Sequence, residues 1–426
     1  MADVQLLLYL FSLASSPLQV LVIGGGAAGF FGAIACAEAH AHAHVTLLET
    51  NRTPLTKVRI SGGGRCNVTH ACFDPALLVQ HYPRGGRALR GAFSRFQPRD
   101  TVSWFAQRGV RLKTEADGRM FPVTDDSATI VDCLMQAARH AGVNVRTGTA
   151  VVGLTHSAST FQVELKSGEV ITGDRLLLAT GSSPQGYALA KSLGHTVEPP
   201  VPSLFTFTVS DPELRSLAGV ATESAQVQLI LPEQKPLEQT APLLITHWGF
   251  SGPSILKLSA WGARLLHDNH YRGILRVHWL PGQSPDHIRQ QLMAAKQQQG
   301  KRAIAATCPL LLPRRLWQYL IARINIGSDQ RWADLSKQQL HNLIQEVTQS
   351  QHLIEGKGVF KDEFVTCGGV SLKDVDFKTM QSLRCSGLYF AGEILDVDGV
   401  TGGFNFQSAW TTGWLAGQAM GLDSRS

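Results

Sequence analysis

The apolar residues of the first half of the chain come in short runs separated by glycine-rich turns and helix-like segments. Residues 20–23 form the first run, a glycine-rich turn follows at 24–29, and an alanine-rich stretch comes next. This order predicts a buried strand, a tight turn and a helix. Strands and helices alternate to about residue 195. The pattern predicts a helix at 127–140 and strands at 143–146, 150–154 and 175–178. It also predicts a hairpin in which Ser167-Gly168 forms the turn between strands at 161–165 and 170–171.

The pattern changes after residue 195. Prolines at 199, 200 and 202 interrupt it, and the runs that follow alternate or carry β-branched residues, which predicts a β-rich insert with strands at 204–209, 225–231, 242–246 and 273–279. Helices come next, because Ser284-Pro285 is typical of a helix start and Ser336 with Gln339 fits a capping box. The chain returns to strand at 364–366 and 388–390 and ends in a helix predicted at 403–418.

The glycine turn has the spacing Gly24-x-Gly26-x-x-Gly29, and Glu49 ends the next apolar run at 45–48. In a dinucleotide-binding unit the first glycine permits the turn, the second lets the backbone approach a pyrophosphate, and the third lets helix and strand pack closely. The helix N-terminus attracts phosphates, and the carboxylate accepts ribose hydroxyls. The sequence therefore predicts a dinucleotide site, with a glycine-rich structural turn as the alternative.

Two further segments at strand ends can serve a nucleotide. Thr180-Gly181 follows a buried strand, so the backbone there can lie close to a ligand. Gly392-Glu393 places a carboxylate at another strand end, where it can bind polyol hydroxyls. Gly402 and Gly403 precede the last helix, whose N-terminus can stabilise negative charge on a reduced flavin. A structural role for these glycines is the alternative.

Consecutive glycines at 62–64 can direct several N–H groups to one anion, and Arg65 and Lys57 add positive charge. The alternative is a flexible glycine loop. Several other residues that could carry chemistry have simpler structural explanations. The histidines at 40, 42 and 44 share a face only in an extended chain, so we predict no metal site. The arginines of 84–99 fit a solvated helix face, the alternative being contact with the phosphates of NADPH or RNA. His247, at a predicted strand-to-helix turn, and Ser251 are weak catalytic candidates.

Length and composition fit a large enzyme of two or three domains, with 426 residues of which 44% are hydrophobic. The net charge of +6 permits anionic partners without demonstrating one. The seven cysteines form no CxxC pair, which favours free thiols in the cytoplasm. The apolar run at 6–13 is too short to cross a bilayer and has no basic flank, so we interpret residues 1–17 as a loose extension and expect no membrane partner.

The segment Ser-Gly-Gly-Gly-Arg-Cys-Asn at 61–67 is similar to a signature of the BaiN/RdsA-like NAD(P)/FAD-dependent oxidoreductases, also called YhiN-like or aminoacetone-oxidase-type flavoproteins. Segments 118–122, 246–253, 365–371 and 387–405 match this family in the same order, so the resemblance extends from about 18 to 420. The chain departs from the family pattern at residues 1–17, which are extra, and at the three histidines, where a glycine is commoner.

The resemblance implies an α/β chain in three parts: a Rossmann-like FAD-binding domain split by a β-barrel-like insert that itself carries a helical insert. Together with the composition changes, it places the FAD-binding domain at 18–195 and 369–426. The β-rich insert then covers 196–281 with a return strand at 348–368, and the helical insert covers 282–347. We expect substrate specificity to lie in 196–368.

The implied cofactor is FAD, with NAD(P)H as a transient electron donor, since one Rossmann fingerprint is present. Three functions stay open: a reductase or oxidase of a small molecule, a reductase of an RNA base that forms dihydrouridine, and a non-enzymatic flavin-binding interaction protein. The preferred partner is a small-molecule substrate, with RNA as the alternative. The predicted cofactor-binding residues are Gly24, Gly26, Ala27, Ala28, Gly29, Glu49, Lys57, Ser61, Gly62, Gly63, Gly64, Arg65, Cys66, Asn67, Val151, Thr180, Gly181, Gly392, Glu393, Asp396, Gly402, Gly403, Phe404 and Asn405.

Overall fold

The fold was obtained as a computed structural model, which describes residues 17–157, 159–358 and 365–422. The chain divides into two compact units. The first unit contains Met1–Pro200 and Gly368–Ser426, and the second contains Val201–Cys367. Within the described residues, no helix is long and apolar enough to cross a membrane.

The first part of the chain alternates strands and helices, as its pattern predicted. Its strands are β1 (Leu18–Ile23), β2 (Ala43–Leu48), β3 (Thr69–His70), β4 (Leu112–Thr114), β5 (Arg119–Pro122), β6 (Asn144–Arg146), β7 (Val151–Ser157), β8 (Thr160–Leu165), β9 (Val170–Gly173) and β10 (Arg175–Leu178). Its helices are α1 (Ala27–Ala39), α2 (Thr56–Gly64), α3 (Pro75–Leu78), α4 (Gly86–Phe93), α5 (Pro98–Gln107), α6 (Ala128–His140) and α7 (Pro184–Ser192).

The middle of the chain is mixed in structure. Its strands are β11 (Val197–Ser203), β12 (Phe207–Thr208), β13 (Ala221–Ile230), β14 (Leu237–Thr246), β15 (Gly249–Ser251), β16 (Gly273–His278), β17 (Ser350–Ile354), β18 (Gly356–Lys357) and β19 (Val365–Val370). Its helices are α8 (Pro212–Ser216), α9 (Pro253–Trp261), α10 (Ala263–Asp268), α11 (Pro285–Gln298), α12 (Arg314–Arg323) and α13 (Lys337–Gln349). The last elements are β20 (Val375–Asp376), β21 (Gln381–Ser382), β22 (Leu388–Phe390) and α14 (Phe404–Met420).

The first unit is built around a sheet of order β20-β21-β22-β10-β1-β2-β6. The five strands from β22 to β6 are parallel, and β20 and β21 extend the edge in antiparallel fashion. The continuous apolar sequences of β1 and β10 are explained by burial on both faces of a parallel sheet. The architecture is mixed α/β with a Rossmann-type unit.

Helices α1 and α14 pack closely because glycines line their contact. A Cβ at Gly413 would lie 2.6 Å from the Ala28 carbonyl oxygen, and one at Gly417 would lie 2.6 Å from the Gly32 carbonyl oxygen. Real Cβ atoms do not approach backbone so closely, so larger residues would push the helices apart. This contact fixes the last helix of the chain against the first helix of the unit.

The second unit contains an antiparallel sheet of order β17-β16-β13-β14-β15-β12-β18. Its apolar face and helices α11, α12 and α13 share one hydrophobic core, which includes Phe250, Trp279, Trp317, Trp332 and Leu343. The helices therefore bury their apolar stripes in the same core as the strands. The barrel-like form of the insert and its separate helical part stay predictions.

Two local expectations were wrong. The prolines at 199, 200 and 202 lie inside a strand, β11, because an extended strand at the edge of a two-stranded sheet tolerates proline. The strand expected over 204–209 is reduced to the two residues of β12. By contrast, the helix at 127–140, the hairpin around Ser167-Gly168 and the capping box of Ser336 and Gln339 are confirmed.

Candidate cofactor site

The turn between β1 and α1 uses its three fingerprint glycines in different ways. Gly24 has a φ of 111°, and a Cβ there would overlap the carbonyl oxygen of Ala179 in the neighbouring strand segment. A Cβ at Gly29 would overlap the carbonyl oxygen of Gly24. Gly26 precedes the first residue of α1, and a Cβ there would meet no atom within 4 Å. The first and third glycines are needed for packing, whereas the second faces open space.

Glu49 follows β2 and turns its carboxylate towards this glycine turn. Its Oε2 atom accepts a hydrogen bond of 2.7 Å from the Gly25 N–H, and its Oε1 atom accepts bonds from the backbone and side-chain nitrogens of Asn51 at 2.7 and 2.9 Å. A carboxylate has about four acceptor positions, so it keeps capacity for a ribose hydroxyl. The first N–H groups of α1, at Gly26, Ala27 and Ala28, lack intrahelical partners by their position and can face an anion.

The segment 61–67 lies at the end of α2. Ser61 leaves the helical conformation, and Gly62, Gly63 and Gly64 follow with φ values of 58°, 71° and 84°. A Cβ at Gly63 or Gly64 would meet no atom within 4 Å, so the backbone there is open to a ligand. The Cys66 N–H donates to the Ser61 carbonyl at 3.0 Å and closes the loop. Burial raises the pKa of the Cys66 thiol to about 12, so this cysteine is not a thiolate.

The two cations predicted to assist this loop already have anionic neighbours. The Lys57 Nζ atom lies 2.7 Å from Glu393 Oε2. Arg65 lies 2.7 Å from Glu115 and 3.4 Å from Asp125. The charge of Arg65 is therefore largely neutralised by protein carboxylates, and its role towards a bound anion stays a prediction.

The ends of β10 and β22 bring the predicted segments Thr180-Gly181 and Gly392-Glu393 together, because neighbouring parallel strands end at the same edge of a sheet. A Cβ at Gly181 would lie 3.7 Å from Glu393 Oε2, and Gly392 donates its N–H to Thr412 Oγ1 at 2.9 Å. The buried hydroxyl of Thr180 has no hydrogen-bond partner among the described residues. These groups converge at the carboxyl end of the sheet, on the same edge as the Gly24–Gly29 turn.

The loop before α14 is held by its own polar contacts. Asn405 Oδ1 accepts from the Gly399 N–H and Nδ2 donates to the Gly399 carbonyl, both at 2.8 Å. Gly402 and Gly403 have φ values of 131° and 91°, and a Cβ at Gly403 would lie 2.9 Å from the side-chain amide of Asn67. The 61–67 segment and the start of α14 are therefore neighbours, as the two predicted flavin-side motifs require.

Sequence reasoning missed the aromatic stack at the start of α14. Phe404, the first residue of the helix, contacts the rings of both His70 and His81, with ring centroids 4.7 and 4.2 Å away and interplanar angles of 22° and 13°, and the two histidine rings lie 5.9 Å from each other. The Tyr82 hydroxyl donates to the Phe404 carbonyl at 2.6 Å. No local signal could have found this stack, since the histidines are more than 300 residues away in sequence.

The remaining predicted residues of the first unit are placed as follows. Val151 is buried at the start of β7, and Asp396 accepts a hydrogen bond of 3.0 Å from the Gly368 N–H. Burial, with Glu393 and Asp396 adding to it, raises the pKa of the nearby Tyr187 hydroxyl above its usual value. Arg84 forms an ion pair with Asp398, which is fully buried, so this arginine is structural.

One expectation for the second unit was wrong. His247 does not start a strand-to-helix turn, because His247 and Trp248 form the turn between the antiparallel strands β14 and β15. Ser251 ends β15, and α9 begins only at Pro253. Their predicted closeness to a substrate stays a prediction. Among the described residues, no cluster of histidine, cysteine, aspartate or glutamate is arranged to hold a metal ion.

The residues of the first unit fit a dinucleotide. The open backbone at Gly26, Gly63 and Gly64, the carboxylate of Glu49 and the unpartnered hydroxyl of Thr180 offer the donors, acceptors and space that a pyrophosphate and a ribose need. The model of the HI0933-like protein Rossmann domain matches residues 18–419. The chain belongs to that family.

Named relatives are similar along almost the whole chain. The 3-dehydro-bile acid delta(4,6)-reductase of Clostridium scindens is 32% identical over 413 residues, which are 94% of this chain and 98% of the relative. The ribosomal RNA dihydrouridine synthase of Escherichia coli is 30% identical over 423 residues, covering 94% of this chain and 97% of the relative. The corresponding synthase of Haemophilus influenzae is 29% identical.

A solved structure supports the fold alone. The 3-ketosteroid-delta4-(5alpha)-dehydrogenase of Rhodococcus jostii aligns with 97% of this chain and 99% of its own, with a TM-score of 0.50 and 14% identity. With the Rossmann-type unit, the family match and the similarity to a named reductase, this HI0933-like chain is an FAD-dependent oxidoreductase.

Proposed function

We propose that this chain is an NAD(P)H-linked reductase that saturates a carbon–carbon double bond conjugated with a carbonyl group. One observation carries the proposal. In the first unit, the open turn at Gly26 and the carboxylate of Glu49 lie on the sheet edge that also holds Glu393 and the start of α14. An extended dinucleotide bound along this edge can therefore contact Gly26, Glu49, Glu393 and the start of α14.

The reaction class comes from what the named relatives share. One name describes a reductase of double bonds in a 3-dehydro bile acid, and the other describes a synthase of dihydrouridine in ribosomal RNA. Both reactions add two hydrogens across a double bond that is conjugated with a carbonyl. The proposal transfers this shared chemistry to the present chain and leaves the substrate class open.

Each part of the site would hold a different part of FAD. The N-terminus of α1 at Gly26 would bind the pyrophosphate, and Glu49 would accept a ribose hydroxyl. The start of α14, near Gly403, would lie at the flavin ring, where its helix dipole favours negative charge. When bound, FAD supplies hydride chemistry in two-electron steps. The predicted boundaries at 195/196 and 368/369 are part of this proposal.

The chain's own residues have two tasks at the flavin end. Asn405 holds the loop before α14, so the helix start keeps its position. Saturation of a double bond also requires a proton. The partly exposed imidazoles of His70 and His81, stacked on Phe404, are groups of the type that donates protons near neutral pH.

Anaerobic half-reactions test the proposal. The purified protein is mixed with NADH or NADPH, and loss of the visible flavin absorbance is followed by rapid mixing. The reduced protein is then mixed with a 3-oxo-4-ene steroid or with a uridine-containing RNA. We expect reoxidation together with a product that has gained two hydrogen atoms, measured by mass spectrometry.

Two outcomes would contradict the proposal. If neither nicotinamide reduces the flavin, the electron donor is wrong. If the reduced protein reacts with oxygen but with neither conjugated substrate, the reaction class is wrong. The Gly26→Val protein, which is expected to lack FAD, serves as the control for background reduction.

A further inference from the structure

Two hydroxyl groups that follow β10 are unusual for buried polar groups. Within the described part of the first unit, the buried hydroxyl oxygens of Thr180 and Tyr187 have no hydrogen-bond partner. Other buried hydroxyls of this unit are paired, since those of Thr69 and Thr101 lie 2.6 and 2.9 Å from Gln407 Oε1. An unpaired buried hydroxyl destabilises the folded state, so such a group indicates a partner outside the chain. These two oxygens are therefore candidates for contacts with a bound ligand.

The two residues lie on neighbouring segments of backbone. Thr180 follows β10, and Tyr187 lies in α7, the next helix of the chain. A Cβ at Gly186 would overlap the Thr180 hydroxyl oxygen, so the glycine allows α7 to pack directly on Thr180. Tyr187 is the next residue, and it is only 5% exposed. Both residues thus follow the same strand, at the sheet edge that also holds Glu393.

Two carboxylates determine which ligand group suits the Tyr187 hydroxyl. Burial raises the pKa of this hydroxyl, and the negative charges of Glu393 and Asp396 raise it further, so it stays protonated and can donate. Lys57, 2.7 Å from Glu393, offsets one of the two charges, and the other still repels a phosphate. A sugar hydroxyl fits better, because it can accept a hydrogen bond from the tyrosine and donate one to a carboxylate.

We propose that the Tyr187 hydroxyl, together with that of Thr180, binds the sugar-alcohol chain of FAD, the part that joins the flavin ring to the pyrophosphate. This inference rests on the proposed function, which places FAD along the sheet edge that holds Glu393. The fold keeps both hydroxyls buried and unpaired at a cost to its own stability, and the chain of FAD supplies the missing partners. Tyr187 lies outside the glycine fingerprint at 24–29, so that spacing gives no sign of it.

The experiment removes each hydroxyl while keeping the shape of the side chain. The test variants are Tyr187→Phe and Thr180→Val. The matched controls are Tyr319→Phe and Thr348→Val, which remove buried hydroxyls of the second unit that donate hydrogen bonds of 2.6 and 2.7 Å within the protein. The melting temperature of the full-length protein is measured after removal of FAD. The dissociation constants of FAD and of ADP are then measured by calorimetric titration.

We expect the test and control variants to respond in opposite ways. Without cofactor, the test variants should melt no lower than the wild type, because they lose only an unpaired buried hydroxyl. They should bind FAD about three- to tenfold more weakly, since each loses one neutral hydrogen bond to the cofactor. ADP lacks the sugar-alcohol chain, so its affinity should stay within about twofold of the wild type. The controls should melt lower than the wild type and bind FAD with unchanged affinity.

Three results would overturn the inference: unchanged FAD affinity in Tyr187→Phe, a melting temperature of Tyr187→Phe lowered as much as that of Tyr319→Phe, or equal losses of affinity for FAD and ADP. The second would show that the hydroxyl is already paired without cofactor, and the third that it faces the ADP half of FAD. The titrations need no electron donor and no substrate. They are therefore separate from a failure of flavin reduction by NAD(P)H, which would contradict the proposed function instead.

Discussion

At the scale of single residues, the site depends on where a Cβ atom can be tolerated. Gly24 and Gly29 are packed against backbone, whereas Gly26 has a φ of −90° and open space beside it. A substitution at Gly26 therefore tests the ligand rather than the fold. The packing of Gly24 and Gly29 could be predicted from the sequence because the glycine spacing is local. The pairing of Asn405 with Gly399 and the Phe404 stack could not, since they depend on how distant segments meet.

The first prediction follows from this contrast. Gly26→Val should fold with a melting temperature close to that of the wild type but should be purified without bound FAD, because its side chain fills the space expected for the pyrophosphate. The measurement is the ratio of flavin to protein absorbance. Cofactor released from the wild type is identified by chromatography. Recovery of FMN alone, or full FAD content in the variant, would show that the turn does not bind a dinucleotide.

A second prediction separates two polar residues. Asn405→Ala removes two hydrogen bonds to Gly399, so the start of α14 should loosen and FAD affinity should fall by roughly tenfold or more, equivalent to about 1.5 kcal/mol. Arg65→Ala should have a smaller effect on affinity, because Glu115 and Asp125 already neutralise the arginine. Cofactor affinity is measured by calorimetry on the apoprotein. A larger loss in Arg65→Ala would place the arginine at the cofactor.

At the scale of elements, strong local signals set the boundaries correctly. Ser284 and Ser336 accept hydrogen bonds from the N–H groups of His287 and Gln339 at the helix starts where the sequence placed them. Errors arose where sheet pairing overrides local preference. The prolines at 199, 200 and 202 are accommodated in β11, and His247 lies in a hairpin turn because β15 pairs with β14. The residues of β11 and of β15 do not by themselves show which strand each will pair with.

The third prediction concerns the capping box of α13. Ser336→Ala removes the acceptor of the Gln339 N–H, whose bond is 3.1 Å long, and should lower the free energy of unfolding of the second unit by about 1 kcal/mol. Ser336→Asp keeps an acceptor and should retain most of the stability. Urea denaturation followed by circular dichroism measures both. Equal stability of Ser336→Ala and the wild type would show that the cap does not contribute.

At the scale of the whole molecule, the second unit contains two buried groups whose titrations oppose each other. Burial, assisted by Arg323 and opposed by Asp211, lowers the pKa of His352 to about 3. Burial raises the pKa of Glu346 to about 7, although Arg323 acts in the opposite direction. Sequence alone gives no sign of either shift, because both arise where α12, α13 and β17 meet.

The fourth prediction uses the sign of these shifts. Between about pH 4.5 and 6.5 the unfolded chain binds a proton at His352, which favours unfolding as pH falls, and the folded chain binds one at Glu346, which favours folding as pH falls. The two effects should nearly cancel in the wild type. In His352→Gln the stability of the second unit should fall as pH rises through this window, and in Glu346→Gln it should rise, each by up to about 1.4 kcal/mol per pH unit. Denaturation at several pH values measures this, and parallel profiles in both variants would contradict the assigned titrations.

The crossing of the chain between its two units has a consequence for how such proteins change over time. The chain leaves the first unit in β11 and returns in β19, and these two strands pair with each other. The entry and exit of the 167-residue second unit, Val201–Cys367, are thus joined side by side. A gene segment with its ends so close can be replaced or remodelled while the host sheet keeps its own connections. The second unit can therefore take up insertions and substitutions while the strand order of the sheet in the first unit stays the same.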